Sequence, residues 1–181
     1  MLIGRDHCTL NERMREIQNR YVAPRFGNQP ALLIAGIGKV YTEDPGSGFA
    51  QQWSRLRRYA GKIPAQVRTS RFGVLRGADG EPGCEYICGV EVFERAGVEE
   101  AIRIGLPEDW TYVEVPEQHY AIFTHDGPVS TVRRTWSYIW DQWLPRAGRK
   151  MTDGPVVESV EEFDVETGTG VIEIWVPVEK R

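Results

Sequence analysis

Twice along this chain, a run of apolar, β-forming residues is followed by an amphipathic helical stripe and then by two strand-like runs joined by a turn. That recurrence constrains the fold more than any other feature. A single β-α-β-β unit leaves one apolar sheet face uncovered, whereas two units related by a pseudo-twofold axis bury those faces together or enclose a cleft between them. The first unit, about residues 30–95, opens with "ALLIAGIGKVYT" and turns at "EDPGSG". It continues as a helix through "GFAQQWSRLRRYAGKI", with Phe49, Trp53, Leu56 and Ala60 on one face, and closes with "RFGVLRG" and "CEYICGVEVFER" around the turn "ADGEPG". The second, about 110–180, opens with "WTYVEVPEQHYAIFTH", read as one long or bent strand. Its helix runs through "VSTVRRTWSYIWDQWLPRAG", and "VVESVEEFD" and "VIEIWVPV" close it. Each helix carries a tryptophan, Trp53 and Trp136. The expected fold is α+β: a duplicated β-α-β-β module with antiparallel sheets and two main helices flanking a central cleft.

Ahead of these units, "TLNERMREIQNRY" sets Leu10, Met14, Ile17 and Tyr21 on one helical stripe, and "APRFGNQP" breaks it. Residues 1–28 therefore read as an N-terminal helix and linker, and 29–181 as the domain proper. No window approaches the roughly 18 apolar residues of a membrane helix, and the charged start has no secretory h-region. Three cysteines in no framework spacing suit a reducing compartment. The expectation is a cytoplasmic protein. A net charge of −4 argues against direct DNA binding, which requires clustered lysine and arginine. Phosphate-loop, nucleophile-elbow, dinucleotide and His-rich metal motifs are all missing, so no cofactor and no metal are expected.

The last strand raises the functional question. In "VIEIWVPV" (171–178), alternation sends Ile172, Ile174 and Val176 to one face and Val171, Glu173 and Trp175 to the other. The aliphatic face is expected under the helices, leaving Glu173 and Trp175 for the cleft. A buried carboxylate needs a partner. Either a neighbouring Arg or Lys supplies it, or a cationic ligand does, with Trp175 adding a π-face.

The order and spacing of "HYAIFTHDGP", "WDQWLPRAG", "VVESVEEFD" and "VIEIWVPV" resemble the GyrI-like small-molecule-binding domain, which includes effector domains of bacterial AraC-type and MerR-type transcription regulators. The resemblance is strongest over 110–178. It implies a duplicated β-α-β-β fold and a multidrug-type cleft for lipophilic, often cationic compounds, with aromatic walls and an acid at the base. Carried over by position, the acids fall on Glu173 and Glu161, with Phe163 where relatives more often have tyrosine. About 28 residues ahead of the domain are too few for a helix-turn-helix module, so a stand-alone form or action through a partner is expected.

Aligning the two final strands sets Tyr86 opposite Glu173 and Cys88 opposite Trp175; Tyr86 is either a ligand contact or a core tyrosine. Either Tyr120 or Phe123 lines the cleft, according to the face the bend presents. Trp140 sits at core spacing on its helix and is also placed to wall the pocket. The leading expectation is capture of amphipathic, cationic, lipophilic molecules by a sensor or sequestering domain. The alternative is a hydrolase that detoxifies electrophilic small molecules, with Glu161 and Glu173 activating water. A third reading makes the 9–21 helix the docking element for a protein partner, and a homodimer is a further expected partnership.

Overall fold

The computed structural model describes residues 23–45, 47–78 and 82–180. The helix read at 9–21 lies outside them. Eight strands form one antiparallel sheet: β1 (Arg25–Gln29), β2 (Leu32–Tyr41), β3 (Gln66–Gly77), β4 (Cys84–Val92), β5 (Trp110–Val115), β6 (Gln118–Pro128), β7 (Val156–Asp164) and β8 (Thr169–Pro177). Their order across the sheet is β1-β6-β8-β7-β3-β4-β2-β5. One continuous sheet therefore replaces the separate sheets expected, with β3 and β7 side by side at its middle.

Two further differences have local causes. Residues 110–125 are two strands, interrupted around Pro116, which lacks an N–H for a ladder. They lie far apart, because β5 pairs with β2 at one edge while β6 pairs with β1 and β8 near the other. Arg25–Gln29, expected in a linker, instead pairs with Gln118–Ile122 and forms the opposite edge. A short helix, α2 (Val98–Ile104), was not expected; it ends at Gly105 in the left-handed conformation.

The other two helices lie on one face of the sheet. Helix α1 (Gly48–Leu56) tightens into a 3₁₀ turn at Arg57–Tyr59. Helix α3 (Val132–Ser137) continues through a π-helical segment, Tyr138–Trp143, and a 3₁₀ turn. Each helix has its own apolar cluster beneath it. Under α1 lie Ala35, Ile37, Tyr86, Cys88 and Val90. Under α3 lie Ala121, Phe123, Ile172, Ile174 and Val176. Leu75, near the middle of the sheet, packs against both. The opposite face carries a third cluster that includes Ile34, Phe72, Ile87, Tyr120, Val157 and Trp175, with no residue from these helices. No helix among the described residues is long and apolar enough to cross a membrane.

Candidate functional site

The two central strands meet where neither helix covers the sheet, and an acid sits there. Gly73 of β3 pairs with Glu158 of β7. Alternation places Glu158 with Val156 and Val160 on the helix face. Tyr86 of β4 turns to the same face, and its hydroxyl donates to Glu158 Oε2 at 2.7 Å. A Cβ on Gly73 would be driven into the Tyr86 hydroxyl and the Glu158 carboxylate, so the bare glycine makes room for that bond.

Both helices send a tryptophan to this point. Trp53 Nε1 of α1 donates to Tyr86 Oη at 2.9 Å, and Trp136 Nε1 of α3 donates to Glu158 Oε1 at 2.7 Å. In each helix a buried polar residue immediately before the tryptophan pins the backbone to the sheet. Gln52 donates to the carbonyls of Ile37 (2.9 Å) and Tyr86 (2.8 Å) and accepts from the Tyr41 hydroxyl (2.6 Å). Thr135 Oγ1 lies 2.9 Å from His125 Nδ1, while His125 Nε2 lies 3.2 Å from the Pro128 carbonyl. A carbonyl only accepts, so Nε2 carries a proton, and in the neutral ring the threonine hydroxyl then donates to Nδ1. Trp140 stacks on Trp136 (6.0 Å, 19°), and Phe49 stacks on Tyr86 (4.0 Å, 17°).

The electrostatics follow from this lining. Glu158 is partly exposed, yet its carboxylate is enclosed by protein atoms. Burial raises its pKa, against the hydrogen bonds from Tyr86 and Trp136, which pull it down. Tyr86 is pushed well above the ordinary phenol, by burial first and then by the Glu158 charge. Among the described residues no Lys, Arg or His pairs with Glu158.

The residues singled out from the sequence are divided between the faces. Tyr86 joins the Glu158 cluster, and Trp140 joins it through Trp136. Cys88 shares that face but is fully buried under α1, its thiol pushed up to about 12 by burial. Phe123 lies under α3, edge-on to Trp143 at 4.9 Å. Phe163 lies beyond a β-bulge in β7, beneath the Arg57 guanidinium at 5.4 Å.

Glu173, Trp175 and Tyr120 are on the face away from the helices. Of the two partners left open for Glu173, a neighbouring Arg or Lys and a cationic ligand, an internal arginine is present. Both its oxygens accept from Arg25 Nη2 (2.9 and 2.8 Å), and Trp175 Nε1 donates to it at 3.1 Å. Tyr86 and Glu173 are not facing each other across a cleft, because they occupy opposite faces of one sheet. Glu161 is exposed and accepts from Ser159. Tyr120 is fully buried among Phe72 and Trp175, and burial pushes its pKa to about 12.

A single sheet carrying two helices on one face, with an aromatic-walled acid between them, can be set beside known proteins. A family model, the GyrI-like small-molecule-binding domain, matches residues 23–179. The chain belongs to that family. The transcriptional regulator BrlR of Pseudomonas aeruginosa is 28% identical over 134 residues, 71% of this chain and 44% of the regulator, so the match spans less than half of BrlR. Among solved structures, SAV2435 bound to tetraphenylphosphonium superposes with a TM-score of 0.67 at 16% identity, covering 87% of this chain and 94% of that one. The EcmrR–DNA complex gives a TM-score of 0.63 at 17% identity, covering 98% of this chain and 64% of that one. At these identities the solved structures establish the GyrI-like fold and nothing finer.

The sequence reading did not single out Glu158, and it placed Trp53 and Trp136 on the core-facing stripes of their helices and used them as marks of the repeat. The signal was present in the alternation. Ile174 packs under α3, and the residue facing it across the β7–β8 pair is Glu158. Elsewhere, a cavity of about 330 Å³ lies by Asp126, Glu162, Phe163, Asp164 and Val171 and shares no residue with the Glu158 cluster. It is wide open to solvent and has one aromatic ring in its wall, against the five around Glu158.

Proposed function

We propose that this GyrI-like domain captures amphipathic aromatic cations in the slot between α1 and α3, as a sensor or sequestering domain of the effector-binding type. One observation carries the reading. Glu158 is an enclosed carboxylate held only by neutral donors, Tyr86 and Trp136, with indoles from two helices beside it. An enclosed anion without a cation is costly, and a lipophilic cation relieves that cost while the ring faces of Trp53, Trp136 and Trp140 attract it. Burial of flat aromatic surface supplies affinity with loose shape demands, and the acid supplies charge preference. That SAV2435 binds tetraphenylphosphonium supports the same class of ligand here.

The duplication is part of this reading. The β2–β4 pair Ile37↔Cys88 and the β6–β8 pair Phe123↔Ile174 differ by 86 positions on both strands (123 − 37 and 174 − 88). The edge pairs Gly27↔Tyr120 and Ile34↔Val113 exchange under the same offset. This offset matches Ile87, rather than Tyr86, to Glu173, and a shift of one residue moves every side chain to the other face.

The test is a titration with tetraphenylphosphonium and with neutral triphenylphosphine oxide, followed by indole fluorescence. A saturable change with the cation at concentrations well below those needed for the neutral compound is expected. Equal response to both, or no saturable response, refutes the reading.

A further inference from the structure

A second cavity, about 180 Å³, lies against the C-terminal end of α1, and Trp53 belongs to its wall as well as to the Glu158 cluster. Its other lining includes Arg57, Gln66, Thr69, Arg71 and Val90. At about 30 Å³ per water in the liquid, it holds a group of roughly six water-sized units. The strand beneath explains why there is a hollow. The β3–β4 register slips between Gln66 and Arg71, so residues 67–70 leave the ladder, as bulges do where a side chain is re-aimed.

Half-burial without a partner sets Arg71 apart. Elsewhere among the described residues, Arg25, Arg55, Arg68, Arg76, Arg95, Arg103 and Arg133 each meet a carboxylate. Arg149 meets a backbone carbonyl and a ring, and Arg58, Arg134 and Arg146, which pair with no acid, are exposed. Arg71, half-buried, makes no hydrogen bond or ion pair among the described residues. Arg57 contacts the Phe163 ring and no carboxylate. Arg71 faces the helix side two residues from Gly73, and Gly73 lies directly beneath the Tyr86–Glu158 bond. Two residues of strand span about 7 Å. The Arg71 backbone, carrying a half-buried guanidinium without an anion, is thus about 7 Å along the strand from the glycine that lies beneath a carboxylate without a cation.

We propose that this pocket is a carboxylate-binding subsite continuous with the Glu158 slot, so that the preferred ligands are zwitterionic: an aromatic cation over Glu158 with a carboxylate substituent reaching Arg71 and Arg57. The planar guanidinium fork matches a carboxylate in two parallel hydrogen bonds. Thr69 and Gln66 line the same hollow and add neutral donors. The continuity of the two sites rests on the reading of Glu158 as the cation floor.

The experiment compares rhodamine B, which carries a free carboxylate, with its ethyl ester, which has the same cationic ring system. Binding is followed by dye anisotropy to the wild-type protein and to Arg71→Met, Arg57→Met and Glu158→Gln. Arg71→Met should weaken the free acid about tenfold, the scale of a charge-assisted hydrogen bond, and leave the ester within about twofold or slightly tighter, because a repelling charge is removed. Unchanged ester binding also shows that the variant is folded. If Arg71→Met shifts both dyes equally, or neither, while Glu158→Gln still weakens the ester, the carboxylate subsite is overturned and the cation floor stands. If neither dye binds the wild-type protein, the cation reading fails and the pocket is judged alone by titration with benzoate. Saturable shifts of the Trp53 indole N–H resonance that vanish in Arg71→Met would then support the subsite, and their absence would overturn it.

Discussion

Replacing Glu158 by Gln separates what the acid does for a ligand from what it does for the fold. The amide keeps the shape: its oxygen accepts from Trp136 Nε1, and its nitrogen donates to Tyr86 Oη, which already accepts from Trp53. What disappears is the charge. For a cation centred about 5 Å from the carboxylate, at an effective dielectric of about 20, the attraction lost is about 3 kcal/mol. That corresponds to about a hundredfold in Kd. A neutral aromatic of similar shape should change less than about threefold, since its contacts and buried area are retained. Calorimetric titration with tetraphenylphosphonium and triphenylphosphine oxide on both proteins reads the two numbers. Equal losses for the two compounds would show that Glu158 shapes the slot without reading charge, and no loss for the cation would remove it from the site altogether.

The same variant carries a pH signature. Burial raises the Glu158 pKa above that of a free glutamate, so the folded state favours the protonated form. Its contribution to stability is fully present below the unfolded pKa, about 4.3, and is lost as pH rises through the higher folded value. Glu158→Gln should therefore melt at or above the wild-type temperature at pH 7.5, with the difference shrinking as the solution is acidified. Cation affinity of the wild type should fall over that same window, because the proton competes with the ligand. A variant less stable than wild type at pH 7.5 and equal to it at pH 4 would contradict the assigned direction.

Three other substitutions test the remaining geometry. Gly73→Ala should cost about 1–3 kcal/mol in urea unfolding, as overpacking does, and should abolish the Tyr86–Glu158 bond and ligand binding with it; wild-type stability and affinity would show that the strands yield there. Glu173→Gln should leave tetraphenylphosphonium affinity unchanged and cost under about 1 kcal/mol, because the Arg25 side chain is 53% exposed and solvent screens the pair; a large loss of cation affinity would return Glu173 to the site. Thr135→Val should destabilise by about 1–3 kcal/mol by leaving His125 Nδ1 without its donor, and it should alter indole fluorescence by loosening Trp136; an unchanged spectrum would refute the anchoring role.

Most strands and the two main helices were legible because periodicity reports burial, and their residues are buried on a regular face. The edge strand β1 was not, since "RFGNQ" is short and mostly exposed and its pairing with β6 is set by residues nearly a hundred positions away. Residues 110–125 misled for a related reason. The two halves share one hydrophobic pattern, and only tertiary pairing sends them to different parts of the sheet. Of the candidate site residues, Tyr86 and Trp140 lie in the Glu158 cluster, while Glu173 lies on the face away from the helices. Sending the aliphatic face of β8 under the helices was sound. Assigning the cleft to the other face was not, since a cleft flanked by helices must open on the side that bears them. Glu158 then follows as the one acid of the central strands on that side among the described residues. Glu173 looked like the odd charge in a core strand because its cation, Arg25, lay in a segment read as linker.

The sheet order also explains why a polar floor is tolerable at the centre of the molecule. Helix α1 sits over β2 and β4 and α3 over β6 and β8, which places their axes about four strand spacings apart. At about 4.8 Å per strand that is roughly 19 Å in a flat sheet. A helix with its side chains is about 10–12 Å across, so the two helices do not meet over β3 and β7, and the indoles of Trp53 and Trp136 reach into the gap between them. No third helix fits there, and an apolar floor would face solvent without a cover. A glycine with a carboxylate beside it, met by indole N–H and phenol O–H donors, gives each oxygen of the acid a hydrogen-bond partner and leaves its charge unneutralised. On the proposed function, affinity for aromatic cations would follow from how two helices share eight strands, and the choice among such cations would fall to the residues at the ends of the gap.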